Sequence, residues 1–142
     1  MPARPFAVLL TLLCATSSAA IRDDEMMREA LKDCDKNQLT INFCARHAFD
    51  VVDEKLNEIY RANLATMITP QAKGRLRQAQ RAWVAFRDKD CLVLIGPPEK
   101  GGSMYQGLWW QCLERRTKER LVELEKLSRL LRCDEQPCPP KE

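Results

Sequence analysis

The fold is decided by the stretch Ala79-Gln80-Arg81-Ala82-Trp83-Val84-Ala85-Phe86-Arg87-Asp88-Lys89-Asp90-Cys91. Its apolar residues recur at helical steps, which places one set on a single side of an α-helix: Ala79, Ala82, Trp83 and Phe86. A large ring beside small alanines lets a neighbouring helix approach closely. This side is therefore predicted to be a central packing face, and Cys91, near its end, is predicted to form a covalent tie to another element.

Two predicted helices meet at Thr69-Pro70. The first begins at Thr40, which we predict to be its N-cap, and its apolar residues continue at helical spacing to Met67. Thr69 then caps the second helix, with Pro70 in its first turn. The second helix includes the stretch quoted above and continues to about Ile95, where Gly and Pro residues at 96–98 stop it.

A third helix follows a short loop. Ser103 and Gln106 have the spacing of a capping box, and apolar residues continue at helical spacing from Leu108 to Leu131. A short helical lead-in is predicted over 23–31, and the tail from Cys133 onward is predicted to be non-helical. Because short connections make consecutive helices antiparallel neighbours, the sequence predicts an all-α, disulfide-stapled antiparallel three-helix bundle with an N-terminal lead-in.

Residues 1–20 have the pattern of a targeting segment. Arg4 precedes the apolar run 6–15, and the small residues Ser18-Ala19-Ala20 suit a signal peptidase. The run is too short to span a bilayer, so we expect a cleaved signal peptide and an exported protein, periplasmic or secreted. Lipid anchoring at Cys14 is not expected, because the large Leu13 precedes it where lipoprotein processing needs a small residue.

Residues 21–142 are then predicted to form one domain, with nothing apolar enough to cross a membrane. Without Arg4, the 23 Lys and Arg become 22, against 20 Asp and Glu, or about +2. The segment 61–95 has seven bases and two acids, but no aromatic residues interleave its arginines on the outside. Nucleic-acid binding is therefore not expected.

The chain has seven cysteines, and all except Cys14 fall in the predicted domain: Cys34, Cys44, Cys91, Cys112, Cys133 and Cys138. An even number in a small exported domain predicts disulfides. The bundle gathers the first four at one end and the last two at the other, so Cys133 is predicted to pair with Cys138. Sequence proximity favours Cys34–Cys44 with Cys91–Cys112, although exchanged pairings remain open.

Metal and enzyme chemistry are weakly indicated. Cys44 and His47 have a spacing that suits a shared zinc ligand face, but His47 is the only histidine and no Cys-x-x-Cys occurs. No Ser/His/Asp arrangement, phosphate loop or metal-ligand set is present in the sequence. The chain is therefore predicted to be a non-enzyme that needs no cofactor.

Six short motifs occur in the order seen in one bacterial family. They are Asn42-Phe-Cys-Ala45, Leu56-Asn-Glu-Ile-Tyr60, Ala79-Gln-Arg-Ala-Trp83, Arg87-Asp88 with Cys91, Gly101-Gly-Ser103 with Tyr105, and Cys112-Leu113 followed by Thr117 and Arg120. In these motifs the chain resembles the LprI-type lysozyme inhibitor family over roughly Cys34 to Cys138. The resemblance implies a small exported helical protein, and one member of that family is reported to inhibit lysozyme.

If the partner is a lysozyme, the loop at 96–103 is the best candidate for the segment that enters its cleft. Lysozyme's cleft holds two carboxylates in different protonation states, which a rigid loop with hydrogen-bond donors would block. The candidate residues are Lys100 opposite a carboxylate, Gly101 and Gly102 for close backbone approach, and Ser103 and Tyr105 as donors. The alternative is that the loop only connects two helices.

Two other features carry alternative interpretations. Trp83, Arg87 and Asp88 belong to the family's central motif, but an arginine and an acid near helix ends more often fix packing. Trp109 and Trp110 are adjacent, so we expect one of them to be partly exposed and able to anchor an interface. The alternative function is an envelope structural or adaptor module that binds another protein or the cell wall without inhibiting anything.

Overall fold

A computed structural model of the chain describes residues 22–132. The predicted signal peptide at 1–20 and the predicted Cys133–Cys138 bond lie outside the described residues. We refer to the helices, in chain order, as α1 to α4. Their bounds are residues 22–30 for α1, Gln38–Thr66 for α2, Pro70–Ile95 for α3 and Tyr105–Arg132 for α4.

The described chain contains these four helices and no strand, which confirms the all-α prediction. The predicted N-terminal lead-in is the short helix α1, which comes in addition to the three long helices α2, α3 and α4. Two short 3-10 turns, Pro98–Lys100 and Gly102–Met104, join α3 to α4. Helices α2 and α4 run in the same direction, because Asn42 lies beside Gly107 at one end and Asn63 beside Ser128 at the other. Helix α3 runs in the opposite direction and is therefore antiparallel to both α2 and α4.

The boundary between α2 and α3 confirms the prediction, whereas the start of α2 corrects it. Thr69 caps α3 by accepting a hydrogen bond from the amide of Ala72. The N-cap of α2 is Asn37, whose side chain accepts from the Leu39 and Thr40 amides. Thr40 is the third residue of the helix, and its hydroxyl accepts from the Asn37 amide. It therefore completes a capping box that Asn37 begins.

Both favoured disulfides among the described residues are present. Cys34 is bonded to Cys44 and ties the α1–α2 connection to α2, and Cys91 is bonded to Cys112 and ties the end of α3 to α4. The Cys91–Cys112 bond is almost completely buried and packs with Leu113. At the other end, Leu56, Leu76 and Leu124 contribute one buried leucine from each long helix. The buried disulfide and the three leucines therefore hold the long helices together in two separate parts of the bundle.

The inner face of α3 differs from the predicted face. Ala79 and Ala82 are exposed, and Phe86 is 59% exposed. The residues turned inward are Leu76, Gln80, Trp83, Arg87 and Cys91, about a quarter turn around the helix from the predicted set. Only Trp83 belongs to both. The physical reason is that Cys91 must face α4 to bond Cys112, and this orientation carries Arg87 and Gln80 inward, where both find partners.

Arg87 is 8% exposed and contacts all three long helices. Its guanidinium lies 2.9 Å from Asp88 Oδ1 on its own helix and 3.5 Å from Asp53 Oδ1 on α2, and its Nη1 donates to the Thr117 hydroxyl of α4 at 3.4 Å. It also lies 5.5 Å from the ring centroid of Phe49 and 5.2 Å from that of Trp83. Carboxylates and aromatic faces together offset the loss of hydration that burial of a cation costs.

Polar bonds continue toward the far end of the bundle. Arg120 donates to the side-chain oxygen of Gln80 at 3.2 Å and lies 5.8 Å from the Trp83 ring centroid. Asn63, 2% exposed, donates to the Leu124 carbonyl, and the Ser128 hydroxyl donates to Asn63 Oδ1 at 2.6 Å. No fully buried side-chain N or O atom within 22–132 lacks a partner. The interior is therefore partly polar and satisfied.

We predict that Arg87→Met lowers the free energy of unfolding by about 2 kcal/mol, because methionine keeps much of the stem but leaves Asp53 and the Thr117 hydroxyl without their cation. Urea titration followed by circular dichroism measures the change. Arg81→Met is the matched control, since Arg81 is exposed on the same helix, and it should change stability by less than about 0.5 kcal/mol. Equal stability of the two variants would contradict a packing role for Arg87.

Candidate functional site

The loop between α3 and α4 is short and firmly attached. It leaves α3 at Gly96, whose φ of 83° is readily available only to glycine, and passes through the two 3-10 turns before Tyr105 begins α4. The Cys91–Cys112 bond joins the two helices just outside it. The loop therefore has both of its ends held by one buried covalent link.

The predicted loop residues have distinct positions. Lys100, Gly102 and Ser103 are exposed, whereas Gly101 and Tyr105 are half-buried. A Cβ added to Gly101 would stand 2.6 Å from the Tyr105 side chain, so the glycine is required for this ring to pack against the backbone. Gly102 has a φ of 57°, which also favours glycine. Ser103 lies inside the second 3-10 turn, so the predicted capping box with Gln106 is wrong.

Asn42 of α2 holds the loop from the side. Its amide nitrogen donates to the Ser103 carbonyl at 3.1 Å, and its Oδ1 accepts from Gln38 at 2.8 Å. Gly107 makes this approach possible, since a Cβ at that position would stand 2.7 Å from Asn42 Oδ1. Asn42 and Gly107 together therefore set the position of the loop relative to α2.

An aromatic groove lies next to the loop, with a volume of about 460 Å³. It is lined by residues of α1, α2 and the first turns of α4: Asp23, Leu39, Asn42, Phe43, Arg46, Tyr105, Gln106, Trp109 and Trp110. The Tyr105 and Trp109 rings are stacked within 14° of parallel, and Trp110 stacks on Phe49 deeper in the bundle. Both tryptophans are half-buried, whereas Leu108 is 43% exposed and does not face the core as predicted.

Charges near the groove are paired. Arg46 lies 3.4 Å from Asp23 Oδ2 and 3.6 Å from Asp50 Oδ2.

Further along α4, Arg116 donates to Glu119 and to Asp90 of α3, and these hydrogen bonds raise the pKa of the Arg116 guanidinium above its ordinary value. Next to the loop, helices α3 and α4 are therefore joined by the ion pair between Asp90 and Arg116.

The zinc alternative conflicts with the bonding found here, since Cys44 is in a disulfide and His47 is an exposed residue of α2. Within 22–132, no group of three or more His, Cys, Asp or Glu residues is arranged to hold a metal ion. None of the helices in the described part of the chain combines the length and apolar character of a membrane span.

The motif residues Trp83, Arg87 and Asp88 make the interhelical contacts described above and do not line the groove. The groove and the Asn42–Ser103 bond were not predicted from the sequence. One signal was available for part of this arrangement: Gly107 is an isolated glycine inside a helical pattern, which often marks a close backbone approach.

The sequence matches one family model over residues 30–124, and that model describes the family as Lysozyme inhibitor LprI. The chain belongs to the LprI family. Two relatives cover most of its length. The uncharacterized protein R02472 of Rhizobium meliloti (strain 1021) is 35% identical over 84% of this chain and 91% of its own, and the uncharacterized protein YecT of Escherichia coli (strain K12) is 25% identical over 83% and 88%. No solved structure matches the chain significantly.

We predict that Gly107→Ala loosens the loop and lowers the free energy of unfolding by about 1–2 kcal/mol, because the new Cβ displaces Asn42 from the Ser103 carbonyl. Urea titration gives the stability, and amide hydrogen exchange reports loosening across 100–104. Gly74→Ala is the matched control, since a Cβ added at this helical position would have no atom within 4 Å of it. That change should raise stability by up to about 1 kcal/mol. Similar effects at both glycines would refute the close-approach role of Gly107.

Proposed function

We propose that this protein is an exported lysozyme inhibitor and that its 96–103 loop occludes the lysozyme cleft. Membership of the LprI family carries the proposal. The two disulfides of the described chain support export, because such bonds persist in oxidising compartments. The family is described by inhibition and not by a catalytic activity, which supports a mechanism of steric blocking.

The loop has the rigidity that such blocking needs. A loop held in its bound conformation loses little conformational entropy on association, and this raises affinity. Here the Cys91–Cys112 bond joins the two helices that flank the loop, and Asn42 holds the loop's second 3-10 turn through the Ser103 carbonyl. The backbone at Gly101 and Gly102 carries no side chain to keep a cleft wall at a distance.

The chemistry of the loop suits a cleft that contains carboxylates. Lys100 is exposed in the first 3-10 turn and supplies a cation for the ionised carboxylate. The hydroxyls of Ser103 and Tyr105 make no hydrogen bond within 22–132 and are proposed as donors to the cleft. The net charge adds no long-range attraction toward a basic lysozyme, so steering is assigned to the acidic residues of 21–60, which number ten against six bases.

We predict that the purified protein inhibits lysozyme in a lytic assay on bacterial cell walls and that Lys100→Ala with Ser103→Ala weakens inhibition about tenfold or more. The double change removes the proposed cation and one donor, which together contribute on the order of 1.5–3 kcal/mol to binding. The inhibition constant, measured over a panel of lysozymes, is the readout.

Lys126→Ala is the control for charge removal, since Lys126 is exposed near the other end of α4 and should leave the inhibition constant unchanged. Inhibition that survives the double change would place the contact elsewhere on the protein. A complete lack of inhibition at about micromolar protein would reject the inhibitor proposal and favour an envelope adaptor module.

A further inference from the structure

The aromatic groove has the composition of a small-ligand site. Its volume of about 460 Å³ lies within the usual range for such pockets, about 300–1,000 Å³. Its lining combines aromatic rings with a few polar side chains, and in such sites apolar contact supplies affinity while polar groups set orientation. The loop proposed above borders the groove but does not fill it.

Several polar groups of the groove have no hydrogen-bond partner within 22–132. These are the Gln106 amide, the Tyr105 hydroxyl and the indole N–H groups of Trp109 and Trp110. Since no fully buried side-chain N or O atom in this part of the chain lacks a partner, these groups reach solvent and are accessible to a ligand. The indole N–H groups are donors only, whereas the Tyr105 hydroxyl and the Gln106 amide can both donate and accept.

The charges of the groove disfavour ionic ligands. Arg46 is the cation in the groove's lining and is already paired with Asp23, which also lines the groove, and with Asp50 outside it, so a phosphate would meet a paired cation and a carboxylate. A wholly apolar partner helix is disfavoured too, because it would bury the Gln106 amide and the Asp23–Arg46 pair without new hydrogen bonds. The ligand that fits is neutral, has a flat apolar face and carries hydroxyl or amide groups around its edge.

We propose that this groove binds a short neutral oligosaccharide built from pyranose rings with equatorial substituents. In such rings the axial C–H groups form flat apolar faces that suit the Tyr105 and Trp109 rings. The equatorial hydroxyl and acetamido groups point outward, toward Gln106 and the indole N–H groups. Asn42 is an orienting residue here, because its amide is already engaged with Ser103 and Gln38.

The test is a nuclear magnetic resonance titration of the ¹⁵N-labelled protein with tetra-N-acetylchitotetraose. The indole N–H signals of Trp109 and Trp110 should shift and saturate with a dissociation constant below about 1 mM. The indole signal of Trp83, which packs in the core away from the groove, should not move. No lysozyme is present, so this result is independent of whether the protein inhibits one.

Gln106→Ala should weaken binding about fivefold, the effect of losing one hydrogen bond, while Gln78→Ala on the exposed side of α3 should leave it within about twofold. Both glutamines are exposed, so neither change threatens folding. Absence of a saturable shift, or equal weakening by both variants, overturns the proposal. Indole signals that respond to lysozyme but not to the oligosaccharide would also overturn it, by assigning the groove to a protein interface.

Discussion

The structure depends on the burial of one cation. Arg87 lies where α2, α3 and α4 meet, and its partners come from all three: Asp53, Asp88 and Thr117 by polar contact, and Phe49 and Trp83 through their rings. A buried charge is costly unless it is paired, so the pairing of Arg87 stabilises the same rotation of α3 that the Cys91–Cys112 bond requires. The Cys91–Cys112 bond then fixes the end of α3 next to the start of α4, and with it the two ends of the loop.

This rotation explains which parts of the fold were predictable. Helix boundaries depend on neighbouring residues, and the Thr69-Pro70 junction and the end of α3 at Ile95 were predicted correctly. The inner face of α3 depends on residues far along the chain, such as Asp53 and Thr117. A pattern of apolar residues alone selected Ala79, Ala82 and Phe86, because it counts an arginine as outward-facing whatever its partners are. The disulfide pairing favoured by proximity was correct because each bond links elements that the bundle already holds adjacent.

In the candidate site too, the features that depend on residues far apart in the chain could not be predicted from the sequence. The loop was recognisable from its own residues, since glycines and prolines between helical patterns mark a connection. The groove was not, because it combines α1, α2 and α4, and its shape depends on the passage of Asn42 over Gly107, two residues far apart in the chain. Trp109 and Trp110 were identified as candidate contacts, but only the packing reveals that both border solvent and that Tyr105 stacks on the first.

Tyr105 connects the two proposed binding surfaces. Its side chain packs against Gly101 in the loop, and its ring stacks on Trp109 in the groove. A sugar ring resting on these aromatics would restrict the motion of Tyr105, and through Gly101 it would restrict the loop as well. Coupling between two sites is reciprocal, so any gain in lysozyme affinity produced by the sugar must equal the gain in sugar affinity produced by lysozyme. The loop and the groove therefore share Tyr105, and Asn42, which bonds the Ser103 carbonyl and also lines the groove, is their second common residue.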